Sequence, residues 1–254
     1  VAYAVVLAVM LHEKRHKAPV TSAKSPGTAS NKEKMWKTFA IIFTNVAFWI
    51  ILFFFASSSL PGWAIKNWLP TLFSDTLNLT PSEAGPLATI TIAAASFVGV
   101  MIGGPLSDRW VLRNIRGRIY TSAIGLGMMV PALVCIGLGH NLFAAIGAAL
   151  LFGVGYGMFD ANNMPILCQF IPAHQRASAY GIMNMTGVLA GAVVTSVLGS
   201  WAAEGNLGLG FALMGVILVI ALALQLFALR PSTDDASATT PTHTDDLEED
   251  TRTI

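Results

Sequence analysis

The sequence predicts an all-α integral membrane protein, and three observations predict it. The 254 residues are 54% hydrophobic and only 11% charged, with a mean hydropathy of +0.62, whereas a soluble domain carries roughly 25% charged residues. The charges are also clustered. None falls between Lys37 and Lys66, Glu83 and Asp108, Arg118 and Asp160, Arg176 and Glu204, or Glu204 and Arg230. A bilayer-spanning helix needs about 20 consecutive apolar residues, and each of these gaps supplies them. Alternating segments of about ten residues, which a transmembrane β-barrel requires, do not occur.

Taken in order, residues 1–11 (VAYAVVLAVML) read as the end of a preceding transmembrane helix. Residues 12–38 are rich in Lys, Ser, Pro, Ala and Thr. Such a composition builds no apolar core and suits a solvated linker. Residues 39–229 hold six spans, near 39–60, 84–106, 119–138, 142–170, 177–201 and 207–229. The charge-free stretch 119–159 contains two passes, broken at Gly139-His140-Asn141. The third and sixth spans are nearly free of polar residues and are expected on the lipid-facing outside. Residues 230–254 carry seven of the chain's 14 acidic residues and are expected to be disordered. Cys135 and Cys168 both fall inside spans, so no disulfide framework or metal site is implied. No nucleophile–base pair or phosphate loop is present, so no catalytic residue and no cofactor are expected, and nothing points to nucleic acid.

Charge placement orients the chain. With six spans after the 12–38 segment, 14 of the 15 Lys and Arg fall on one side, and only Lys66 falls toward the other. Cytoplasmic loops carry the Lys/Arg excess, so the linker, the 107–118 loop and the C-terminus are expected in the cytoplasm.

The segment GGPLSDRWVLRNIRGR, residues 103–118, places four arginines between two apolar spans. With the six-span layout and the basic linker, it resembles the C-terminal half of a major facilitator superfamily transporter. Gly104-Pro-Leu-Ser-Asp108-Arg109 matches the superfamily signature Gly-x-x-x-Asp-Arg, and Arg116-Gly117-Arg118 matches the Gly and basic residues that follow, after the six residues WVLRNI. The resemblance implies a six-helix bundle of two three-helix repeats, an N-terminal six-helix half upstream, and a bacterial inner membrane location. It also implies a gating role for Gly104, Asp108, Arg109, Arg116 and Arg118. Physically, glycine lets helices approach closely, and arginines form forks with carboxylates on neighbouring helices; such contacts break and remake as two halves rock. The simpler alternative is that these arginines set topology and bind lipid headgroups.

Ionisable groups inside spans are costly and usually functional. Asp160 is the acid that lies inside an apolar run, within GVGYGMFDANNMPILCQF. Tyr156, Asp160 and Asn163 are spaced i, i+4 and i+7, on one helix face. They suggest a polar cavity wall, with Asp160 as a proton or cation site or an inner gate. In SSSLPGWAIKNWLPTLF, residues 57–73, a first span continuing past Pro61 would carry Lys66 and Asn67 into the outer part of a cavity, where a lone cation attracts an anionic group; the equal alternative is a lysine that snorkels to water. Trp63 and Trp68 read as interfacial anchors, with stacking on a substrate as the alternative. Asn45 and Asn184 are placed to line a pore. Ser96, Gly99 and Gly103 read as helix packing, as does the row Tyr180, Asn184, Gly187, Gly191, Thr195.

The expected activity is secondary active transport of a small-molecule solute with a coupling ion, proton or sodium. The Pro-Gly-Trp of the first span, DANNMP and RASAYGIMN resemble the organic-anion branch of the superfamily, which includes sugar-acid and sugar-phosphate carriers. The alternative is a transporter-like sensor that binds a solute and signals without moving it.

Overall fold

The computed structural model describes residues 43–44, 46–139, 141–231 and 233–235. The expectations for the 1–11 stub, the 12–38 linker, Asn45 and the tail beyond 235 lie outside the described residues. Among those described, six helices follow one another: α1 (Val46–Leu77), α2 (Pro81–Val111), α3 (Gly117–Leu138), α4 (Leu142–Cys168), α5 (Ala173–Ala203) and α6 (Leu207–Ala228). Each is long and apolar enough to cross a bilayer. Their lengths run 32, 31 and 22 residues, then 27, 31 and 22. A long–long–short triplet is therefore repeated.

The six spans are found; the second and fifth extend at both ends, and the first runs well past its expected end. The first helix runs on to Leu77 with Pro61 and Pro70 inside it. Membrane helices tolerate internal prolines because neighbouring helices and polar side chains satisfy the freed backbone groups. It stops at Asn78, whose φ of 52° is left-handed, a conformation that Asn adopts more readily than most residues. Two residues on, the Thr80 backbone N–H and hydroxyl both donate to Glu83 Oε2, at 3.1 and 2.7 Å, and Pro81 opens α2. Asn78 and Thr80 thus end one helix and start the next within three residues.

The second helix extends to Val111 and the third begins at Gly117. The charged segment 107–118 is therefore mostly helical rather than a loop, and only residues 112–116 connect. Polar residues lengthen a membrane helix freely once it leaves the hydrocarbon, which is why the apolar runs understate it.

Helix α2 packs along α4, α3 lies between α4 and α6, and α1 packs on α5 and α6. With no hydrophobic drive between helices in lipid, small residues supply close packing. A Cβ added at Gly99 would strike the Val154 carbonyl, and one at Gly157 would strike the Ser96 carbonyl. At Gly103 it would lie 2.8 Å from the Met158 Cα. Gly125 and Gly155 oppose each other across α3 and α4 in the same way, 2.5 Å from each other's carbonyl oxygens. This is backbone-to-backbone contact. Helix α3 is gripped on two sides, by α4 and α6, and half of its span is buried. The least covered helices are α2 and α5, with 22% and 28% of their windows buried against 61% for α1.

Candidate functional site

Two cavities open beside α1. One, of about 430 Å³, lies between α1, α2 and α4 and is lined in part by Ile65, Lys66, Thr89, Ser96, Phe152 and Tyr156. The other, of about 380 Å³, lies between α1 and α5, against Trp63, Asn67, Gly191, Thr195 and Ser196. At 1.5 Å per residue, Gly62 is about 24 Å along α1 and Tyr156 about 21 Å along α4. The two meet there, with the Tyr156 ring so close that a Cβ on Gly62 would lie 2.5 Å from it. The contact falls near mid-bilayer.

Around that contact the polar residues assemble. Lys66 Nζ lies 5.6 Å from the Trp63 ring centroid and 5.3 Å from that of Tyr156, within cation–π range. Asn163 Nδ2 donates to Asp160 Oδ1 at 3.2 Å, and Lys66 and Asp160 attract one another electrostatically. The sequence separated these two charges, one in the outer part of the cavity and the other deeper. The structure brings Lys66 to Tyr156, one helical turn before Asp160 on α4. Asn67 Nδ2 donates to the Trp63 carbonyl and to Thr195 Oγ1, both at 3.0 Å. Asn184 Nδ2 donates to the Tyr180 carbonyl within its own helix. Trp63 and Trp68 both pack against α5. The Trp63 ring lies on Gly191, Trp68 approaches Gly199, and Trp68 Nε1 donates to the Thr195 carbonyl at 3.1 Å.

A second set of charges sits at the end of the bundle that carries the α2–α3 and α4–α5 connections. Arg116 Nη2 donates to the Leu226 carbonyl, and its guanidinium lies 5.2 Å from the Tyr120 ring centroid. Arg118 Nη1 donates to the Pro165 carbonyl at 3.4 Å and pairs with Asp234 at 3.5 Å. Arg176 donates to the Ile171 and Cys168 carbonyls, at 3.0 and 3.2 Å, and pairs with Asp235. These carbonyls belong to, or directly follow, the last turns of α4 and α6, where unpaired oxygens and the negative end of the helix dipole favour cations. Asp108 and Arg109 occupy the last turn of α2, exposed, and make no hydrogen bond or ion pair among the described residues. Gly104 is half-buried, with open space where a Cβ would stand, and its carbonyl accepts from Ser107 Oγ at 2.9 Å.

A family model described as Major Facilitator Superfamily matches residues 1–195 and, in an overlapping alignment, 77–249. The chain belongs to the major facilitator superfamily. Among its relatives in the superfamily, it is 26% identical over 157 residues to a cis,cis-muconate transport protein of Acinetobacter baylyi, a match covering 60% of this chain and 35% of the relative. It is 26% identical over 118 residues to a citrate-proton symporter of Klebsiella pneumoniae, covering 46% and 26%. The chain thus spans well under half the length of these relatives. Among solved structures, a bacterial homologue of the lysosomal transporter Spinster, inward-facing and unoccupied, superposes with a TM-score of 0.63 at 16% identity, over 89% of this chain and 56% of that one. A peptide transporter in complex with sulfate gives 0.61 at 18% identity, over 80% and 42%. At such identities the likeness is one of fold.

Within this superfamily member, sequence reasoning missed Thr89 and Ser196 and read Ser96 and Thr195 as helix packing. Thr89 and Ser96 on α2, and Thr195 and Ser196 on α5, line the two cavities, and the buried Ser96 hydroxyl has no hydrogen-bond partner among the described residues. The spacing of Thr89 and Ser96, seven residues apart on one helix face, was the available signal. Gln169 and Gln225 reach across helices to the Ile115 and Ile119 carbonyls at 2.9 and 3.1 Å. They hold the bundle end together rather than line a cavity.

Proposed function

We propose that this chain forms part of a secondary active transporter that carries a small organic anion, such as a sugar acid or sugar phosphate, with a proton or sodium ion by alternating access. The observation that carries this reading is a lysine near mid-bilayer, beside a cavity, with no carboxylate in ion-pair contact among the described residues. Asp160 on α4 is within electrostatic range of Lys66 but not in ion-pair contact with it among the described residues; a cation so placed is costly unless it has a functional partner, and an anionic solute supplies one. Lys66 is the anion contact, with Tyr156 and Asn67 on the cavity walls and Asn45, Asn163 and Asn184 as further candidate contacts. Asp160 is the coupling-ion site. Asp108, Arg109, Arg116 and Arg118, with Gly104, form the gate at the inner end, where Asp108 and Arg109 are free to engage a second six-helix half.

The test is uptake by the full-length protein in proteoliposomes, using labelled gluconate, muconate, citrate and glucose 6-phosphate. Accumulation of at least one anion is expected, with uptake cut about tenfold or more by Lys66→Gln and largely retained by Lys66→Arg. No uptake of any of them, or full activity in Lys66→Gln, would sink the assignment.

The orientation carries its own prediction. Leu112 is 86% exposed at the α2–α3 connection. A cysteine placed there, with Cys135 and Cys168 replaced by Ser, is expected to react with an impermeant thiol reagent in inside-out vesicles and not in intact cells. The reverse pattern would invert the topology.

A further inference from the structure

Lys66 lies on α1, about 16 Å before that helix ends at Leu77, at 1.5 Å per residue. A lysine at such depth ordinarily snorkels, stretching its four-carbon stem until the ammonium meets water. Here Lys66 is exposed, and its ammonium stays beside the ring of Trp63, three residues earlier on the same helix. Its ammonium ends between two aromatic rings, 5.6 Å from Trp63 on its own helix and 5.3 Å from Tyr156 on α4. Both rings are seated from behind. A Cβ on Gly191 of α5 would lie 2.5 to 2.7 Å from three atoms of the Trp63 indole, and one on Gly62 would lie 2.5 Å from Tyr156 Cε2. Tyr156 is further stacked on Phe152, centroids 6.1 Å apart and planes 14° from parallel. Asn67 ties the Trp63 backbone to Thr195 of α5. Each ring is thus backed on one side by main chain.

The geometry points to an aromatic bracket: Trp63 and Tyr156, seated on Gly191 and Gly62, are positioning residues that hold the Lys66 ammonium at its depth and keep its charge available for an incoming anion. A fixed carboxylate at ion-pair distance would hold the lysine equally well, but it would neutralise the charge that an anion must find. Two π faces attract a cation without neutralising it. The role in anion capture rests on the transport reading above; the bracket itself does not.

The bracket is tested on the lysine directly, in the full-length protein in lipid nanodiscs, using the water-soluble amine reagent trinitrobenzenesulfonate and mass spectrometry of the Lys66 peptide. Trp63→Leu and Tyr156→Leu are each expected to speed labelling of Lys66 about three- to tenfold as the ammonium relaxes toward water. Trp63→Phe, which keeps a π face, is expected to restore most of the slow rate. Gly191→Ala, which pushes the indole aside while leaving it in place chemically, is expected to act in the same direction as Trp63→Leu and serves where Trp63→Leu does not fold. Equal labelling in the wild type and the folded Leu and Gly191→Ala variants would overturn the bracket, as would Trp63→Phe reacting as fast as Trp63→Leu. Since the assay needs no transported solute, an inactive protein with the expected labelling pattern would overturn the transport reading alone.

Discussion

Asp160→Asn is expected to abolish gradient-driven accumulation while leaving solute exchange in place. The substitution keeps the shape of the side chain and its contact with Asn163, but removes both the charge and the titratable proton. Asp160 lies about 27 Å along α4 at 1.5 Å per residue, within the electrostatic reach of Lys66. If it carries the coupling ion, its loss uncouples the solute from the gradient without closing the pathway. A pH gradient of one unit is worth about 1.4 kcal/mol per proton, or about tenfold accumulation. The accumulation ratio in the variant should therefore fall to about one, while counterflow of labelled against unlabelled solute persists. Proteoliposomes with an imposed gradient measure both. Undiminished accumulation would remove Asp160 from coupling, and loss of exchange as well would make it part of the passage itself.

The largest effect on stability is expected from Gly157→Leu. Helices α2 and α4 touch through backbone at this point: a Cβ on Gly157 meets the Ser96 carbonyl, and one on Gly99, a turn away, meets the Val154 carbonyl. Overpacking a side-chain contact costs about 1–3 kcal/mol, and here the neighbour is main chain, which yields less. A loss of about 3 kcal/mol or more is expected, read as a large drop in melting temperature or as failure to purify as a monodisperse species. Gly147→Leu on the same helix is the control. Nothing lies within 4 Å of its added Cβ, so it should melt with the wild type. Equal melting of the two variants would contradict the close α2–α4 approach.

The membrane spans were legible because a charge is costly in lipid, and the absence of charge over some twenty residues leaves few alternatives. Their ends were less so. Nothing apolar marks the extra turns of α2 through Asp108 and Arg109, which emerge where polar side chains are solvated; α1 continues past Pro61 with Ile65, Leu69 and Phe73 buried, and there the internal prolines and Lys66, not a lack of apolar residues, obscured the helix end. Within the site, the shared face of Tyr156, Asp160 and Asn163 follows from spacing on one helix, and the Asn163–Asp160 hydrogen bond fits it. The approach of Lys66 to Tyr156 was not legible. It depends on how α1 and α4 are staggered, which is set by the contact of Gly62 with the tyrosine ring rather than by either sequence alone. The seats of the tryptophans were not legible for a related reason. Their general preference for membrane interfaces says nothing about Gly191 and Gly199 opposite them on α5, which open the space their rings occupy.

The unequal helix lengths have a consequence for the lipid around this bundle. The two 22-residue helices, α3 and α6, reach about 33 Å end to end, close to the roughly 30 Å hydrocarbon thickness of a typical bilayer. The 31- and 32-residue helices reach about 46–48 Å, so they must lean or project beyond the headgroups while the short pair fixes the thickness of the surrounding lipid. Acyl chains two or four carbons longer would therefore strain the bundle at α3 and α6 first, and these two helices pack directly on each other through Gly137 and Gly208.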